Sequence, residues 1–249
     1  MIAQSSRASP GGKAARHDGA AVLAAAAKLA LDFDVVKDGW NGFGVLHDRA
    51  SAVGALDISF APNAGGLSVA QMTTFGTLDV LFLLGADEVK VADGTFVIYI
   101  GTHGDRGAHR ADVILPGAAY TEKQGLYVNT EGRVQMADRA AFPPGDARED
   151  WAIIRALSEV MAKRLPYDSL GALRQAIFKA APHLMRVDQI EAGNAADIKT
   201  FGGKRGTLEK TPFKTPIEDY YLTNPIARAS AVMAECSRLA SGHMLTAAE

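Results

Sequence analysis

Cysteine is nearly absent: Cys236 stands alone in 249 residues. One cysteine cannot close an internal disulfide, and it cannot hold an iron–sulfur cluster, which is usually gripped by three or four thiolates. Long apolar runs are missing too. The longest, residues 20–27, stops at Lys28, far short of the ~20 residues a membrane-spanning helix needs, so any membrane association must run through partners. There is no basic excess: 26 Lys and Arg face 28 Asp and Glu, a net charge of −2, which argues against a general nucleic-acid binder. Residues 1–16 carry positive charge and serines without an apolar stretch, so they are not a secretory signal; an Arg/Ser-rich transit peptide is the alternative. What is present is an ordinary globular composition, 48% hydrophobic and 22% charged, on a chain long enough for one large or two modest domains.

Residues 101–135 are the most informative. The apolar run of residues 96–100 enters Gly101-Thr102-His103-Gly104-Asp105, where glycine lets the backbone turn sharply. A short helix follows, then the apolar run Val113-Ile114-Leu115, closed by Pro116, which removes a ladder donor. Residues 126–135 fold back as a hairpin around Asn129-Thr130-Glu131-Gly132. Residues 79–84 and 96–100 show little alternation, the pattern of parallel strands buried on both faces. The sequence predicts helices over 18–31, with Val22, Ala26, Leu29 and Ala30 inward, and over 49–56. A third, over 147–164, is capped by Asp146 with Glu149 three residues on and carries a core stripe of Ile153, Ile154, Leu157, Val160 and Met161. Another opens at Asp168 or Ser169 with Leu170, Leu173 and Ile177 inward. The last is capped by Asn224 with Pro225 at its first position, its small-residue face being Ile226, Ala229, Ser230, Met233, Cys236 and Ala240. Residues 39–44 read as a loop and 191–216 as an extended surface segment. The fold class is therefore α/β: three layers, a mainly parallel sheet flanked by helices, with a hairpin and a helical C-terminal extension.

The stretch ADVILPGAAYTEK at 111–123, followed by YVNTEGRVQ at 127–135, resembles the molybdopterin-oxidoreductase superfamily. More narrowly, it resembles the C-terminal part of the large iron–sulfur (75 kDa) subunit of respiratory complex I, NADH:quinone oxidoreductase. Asp18-Gly19-Ala20-Ala21, Val45-Leu46-His47, the run from Leu81 to Asp87, Arg148-Glu149-Asp150-Trp151 and the segment from Asn224 to Cys236 carry the same likeness. It spans about residues 17–238 and is specific only as a set. Residues 1–16 read as irregular, where the resemblance would place a strand and a glycine turn; it implies an α/β domain over 17–182 that begins partway into the parent fold, and an extension over 183–249. It implies a scaffolding role, without catalytic residues in this chain, packed on the cysteine-rich cluster-bearing region and other peripheral-arm subunits. The location would be the cytoplasmic face of a bacterial inner membrane, or the matrix side in mitochondria. The parent subunit's 2Fe–2S and 4Fe–4S clusters belong to that other region. No cofactor is expected in this chain. A stand-alone pterin-dinucleotide-binding domain and a truncated fragment without independent function are the alternatives.

In such enzymes, loops at strand ends approach the dinucleotide phosphates, which here marks Gly85, Asp87, Gly101, Thr102 and His103 as a vestigial pterin-pocket rim. Asp87, Glu88 and Asp105 would repel phosphate there. His103, Asp105 and His109 have metal-ligand chemistry, but they fall across a turn and a short helix with nothing fixing a shared direction. Gly202-Gly203-Lys204-Arg205-Gly206-Thr207 lacks the first glycine of a phosphate loop and reads as a basic linker. Glu122, Glu131 and Asp150 are not paired by spacing, no nucleophile elbow occurs, and Cys236 reads as buried packing.

Overall fold

The computed structural model describes residues 2–3, 18–37, 39–47, 50, 52–62, 64–104, 106–190, 194–202, 206–213, 217 and 219–246. In chain order the elements are β1 (Ile2–Ala3), α1 (Gly19–Asp32), β2 (Val36–Lys37), β3 (Trp40–Asn41), α2 (Ala52–Asp57), α3 (Val69–Met72), β4 (Val80–Leu84), β5 (Phe96–Gly101) and α4 (Arg106–Arg110). Then come β6 (Val113–Pro116), β7 (Gly125–Val128), β8 (Val134–Ala137), α5 (Asp150–Val160), α6 (Leu170–Ala180), a short 3-10 turn (Pro182–Met185), α7 (Ala195–Gly202), α8 (Pro225–Ala229) and α9 (Ala231–Thr246). Four parallel strands pair in the order β1-β4-β5-β6, and β7 and β8 form the expected antiparallel hairpin. The fold is α/β, a parallel sheet flanked by helices.

Leu81, Leu83, Val97 and Tyr99 point to one face of the sheet and are buried against Met72 of α3 and Ala86 and Val91 of the β4–β5 connection. The opposite face is less covered: Val80 and Phe96 stay exposed, and Phe82 and Ile98 are half-buried. Burial therefore alternates along β4 and along β5 as far as Tyr99, while Ile100 is buried on the opposite face; the unbroken apolar runs predict cover on both sides throughout. β1 is a strand that residues 1–16 do not reveal, because two residues carry no period.

A second cluster joins the hairpin to α6 and the 3-10 turn through Val128, Val134, Ala181 and Leu184, with Val53 of α2 packed against it. The hairpin turn is built by Asn129, whose side-chain oxygen accepts the Glu131 and Arg133 amides, both at 3.0 Å. Gly132 there takes φ +84, a conformation glycine adopts without strain. Arg133 donates to the Asp188 carbonyl at 2.8 Å, tying the hairpin to the chain beyond α6.

The third cluster corrects two expectations. Residues 195–202 are helical, not extended, and Ile198 of α7 packs on Ala27 of α1 and on Val36. The buried stripe of α1 is accordingly Ala24, Ala27 and Ala30, while Ala26 and Leu29 face outward. Alanine runs through this helix, so its partner chooses the face. Ala27 is fully enclosed, and Ala27→Leu is expected to cost about 1–3 kcal/mol through overpacking, read from a urea melt. An unchanged midpoint would mean that the α1–α7 contact is loose.

The predicted 147–164 helix is shorter, spanning Asp150–Val160. Residues 147 and 148 are taken up beside the sheet: the Arg148 amide donates to the Pro116 carbonyl at 3.1 Å, and the Ala118 amide to the Arg148 carbonyl at 2.9 Å. Asp146 therefore caps nothing here; Glu149 stands at the cap position with its carboxylate accepting from the Trp151 indole. The helix ends in a Schellman-type turn, Lys163 N–H to Ser158 C=O, with Ala162 at φ +53. That leaves Val160 and Met161 in solvent instead of in the core. Ser169 caps α6 as expected, accepting from the Ala172 amide at 3.1 Å, though Leu170, Leu173 and Ile177 are only half-buried.

Arg155 and Arg164 both bond the Asp168 carboxylate, and these guanidinium bonds hold it below the usual carboxylate range. Their contribution to stability is therefore present above the ordinary carboxylate pKa and lost as pH falls through the lowered folded value. An NMR titration should find the Asp168 midpoint depressed, and Arg155→Gln should move it back up.

The C-terminal helix is two helices. Asn224 caps α8, accepting from the Ala227 amide at 2.9 Å with Pro225 first in the helix. Ser230 then turns extended, ψ 120, and its hydroxyl accepts from the Met233 amide at the start of α9. Residues 39–44 include β3, paired with β2.

Candidate functional site

β4 and β5 run parallel in register, Leu84 opposite Ile100, so the chain leaves both strands at the same edge. Open α/β sheets bind ligands at that edge. Gly85 takes φ +58 and its amide donates to the Ile100 carbonyl at 2.8 Å. Two residues on, Asp87 is 2% exposed. Its carbonyl accepts the Gly107 amide at 2.9 Å, and α4 presses so close that a Cβ on Gly107 would lie 2.8 Å from Asp87 Cα.

Tyr99, 1% exposed, is the pillar of the edge. Its ring lies beside Gly101, where a Cβ would meet the hydroxyl at 2.2 Å, and the hydroxyl donates to the His103 carbonyl at 3.2 Å. His103 Nδ1 lies 2.9 Å from the hydroxyl of exposed Thr102. Gly85, Asp87, Gly101, Thr102 and His103 thus do gather at one edge.

The sequence reading missed Arg228, 141 positions from Asp87. From α8 its Nη2 reaches Asp87 Oδ2 at 2.8 Å, and its Nη1 reaches Glu88 Oε1 at 3.1 Å and the Leu222 carbonyl at 3.1 Å. Two of the three carboxylates seen in sequence as repelling phosphate, Asp87 and Glu88, are clamped by a guanidinium. A forked cation suits two neighbouring carboxylates, but no local pattern announces such a pair.

The other candidates disperse. Asp105 lies outside the described residues, His109 is exposed, and among the described residues no three His, Cys, Asp or Glu are grouped to hold a metal. Glu122 accepts the Ala119 amide, Asp150 pairs with Lys123 at 2.5 Å, and Glu131 sits 3.8 Å from Arg133. Residues 203–205 of the basic linker fall outside the described residues, while Gly206 packs on Ala21 of α1. Cys236 is half-buried on α9. A cleft of about 370 Å³ between α2 and the hairpin is lined by His47, Val53, Tyr127, Asn129, Thr130 and Gln135; the Asn129 oxygen there is committed to the turn. No helix among the described residues is long and apolar enough to cross a membrane.

A parallel sheet with glycine-bearing strand ends converging on one edge defines an open α/β domain of the ligand-binding architecture, its edge here closed by protein groups. The chain belongs to the molybdopterin oxidoreductase family, whose model matches residues 11–160. A second model, for the C-terminal region of the NADH-ubiquinone oxidoreductase G subunit, matches residues 187–236. Among curated relatives, the NADH-ubiquinone oxidoreductase 75 kDa subunit of Reclinomonas americana is 42% identical over 228 residues, 90% of this chain and 32% of that protein. The mitochondrial 78 kDa subunit of Candida albicans is 46% identical over 207 residues, 79% of this chain and 28% of that protein. The chain thus spans about a third of the length of the curated relatives it matches. Among solved structures, acetylene hydratase from Pelobacter acetylenicus aligns with 68% of this chain and 24% of its own, at 16% identity and a TM-score of 0.32, too distant a likeness to carry weight.

Proposed function

We propose that this chain is the C-terminal structural portion of the large subunit of NADH:quinone oxidoreductase, an enzyme that passes electrons from NADH to quinone. The observation that carries this reading is the succession of two matches. A molybdopterin oxidoreductase segment at 11–160 is followed at 187–236 by a segment that belongs to the C-terminal region of that large subunit. The α/β domain at 17–182 and the extension at 183–249 form one scaffold. It packs on the cysteine-rich region that bears the 2Fe–2S and 4Fe–4S clusters, and on other peripheral-arm subunits. Its place is the cytoplasmic face of a bacterial inner membrane, or the matrix side in mitochondria.

The groups present do not fit either family cofactor. One cysteine, Cys236, is too few for an iron–sulfur cluster. At the rim, Asp87 and Glu88 bring two carboxylates that already engage the Arg228 guanidinium, a poor cradle for phosphate. The Gly85 and Gly107 amides, the natural donors to an anion here, are spent on the Ile100 and Asp87 carbonyls. The rim of Gly85, Asp87, Gly101, Thr102 and His103 is read as vestigial, kept for packing.

His103→Ala in the assembled enzyme should then leave NADH:quinone electron transfer within about twofold of the parent, since a group outside the electron path adds nothing to the barrier. A large loss of turnover with normal assembly would contradict the scaffold reading.

A further inference from the structure

We infer that α8 and α9 form a latch over the strand-end edge, with Arg228 as its catch. The edge that an open α/β sheet offers to ligands is occupied by a side chain from the far end of the same chain. Arg228 has the position and chemistry for this. Its guanidinium is gripped at three points, by Asp87, Glu88 and the Leu222 carbonyl. The first two lie on the loop leaving β4, and the third on the approach to α8. Arg228 therefore joins the sheet edge to the C-terminal segment.

The rest of that segment is built to hold itself together. Asn224 caps α8, Ser230 caps α9, and Ser237 donates to Asp219 at 2.5 Å, pinning α9 to the approach to α8. These bonds are local, and isolated helices of 5 and 16 residues are marginal in water, so the segment frays once it lifts from the edge. The Asp87 carboxylate does not share that freedom: it is nearly enclosed between the strand end and α4. Closing the latch sets a positive charge against it, and opening the latch exposes an acidic edge. Access to the edge is thus governed by the pairing of Arg228 with Asp87 and Glu88. This goes beyond the scaffold reading and does not depend on it.

Hydrogen–deuterium exchange on the full chain tests the latch. Arg228→Ala should speed exchange of the backbone amides of 219–246 at least about tenfold, while β4 and β5 keep their protection. Arg228→Lys, a single point charge that cannot fork across two carboxylates, should fall between parent and alanine variant. Glu88→Gln removes only the more exposed partner and keeps the test valid should Arg228→Ala fold poorly; it should give a smaller acceleration confined to the same segment. Unchanged exchange in 219–246 for Arg228→Lys and Glu88→Gln would overturn the latch. So would equal loss of protection in β4, β5 and the C-terminal helices, because Arg228 would then be a support of the whole fold.

Discussion

Tyr99→Ala is expected to lower the unfolding free energy by about 3–5 kcal/mol, the range for truncating a large buried aromatic. The ring is enclosed with Leu81, Leu83, Val97 and Met72, so the cavity has few neighbours free to collapse into it. The substitution also removes the donor to the His103 carbonyl. Tyr99→Phe separates the two terms. It keeps the ring and loses one hydrogen bond, expected to cost about 1 kcal/mol. Urea unfolding checks both, with an unchanged m-value showing that the comparison is between like states. A loss under about 1 kcal/mol for the alanine variant would mean that the strand-end edge is not supported from this core.

Gly101→Ala is expected to cost about 1–3 kcal/mol by overpacking, although alanine is conformationally acceptable in a strand. The added Cβ would meet the Tyr99 hydroxyl and ring carbon at 2.2 and 2.3 Å, and a side chain enclosed at 1% exposure has no room to swing aside. The glycine is thus required by its neighbour in the same strand. The test is non-additivity, since residues in contact couple. In a Tyr99→Ala background the Gly101→Ala step should cost no more than about a few tenths of a kcal/mol. Full additivity would place the demand for glycine elsewhere, such as a ligand at the rim.

The central part of the fold was legible because its signals are local. The apolar run at 96–100, the stop at Pro116 and the Asn129–Gly132 cluster each dictate their element within a few residues, and β5, β6 and the hairpin lie where they point. Legibility fails where a partner decides. Ala24 to Ala27 give α1 no face of its own, so Ile198 of α7 selects one. Asp146 and Glu149 have the residues of a cap, yet pairing of Arg148 beside β6 holds the helix off until Asp150. The placement of Gly85, Asp87, Gly101, Thr102 and His103 at strand ends was readable from the apolar runs and glycines. Arg228 was not, because an ion pair between a loop and a helix far apart in the chain leaves no trace in either local sequence.

The scaffold account is tested most directly by tagging the full chain in its own organism, then purifying it under gentle conditions for native mass spectrometry with elemental analysis. The account predicts that it comes out with a cysteine-rich iron–sulfur region, on the same polypeptide or a separate one, and with other NADH:quinone oxidoreductase subunits, the iron residing on that region. A lone chain carrying molybdenum or a pterin dinucleotide would contradict it.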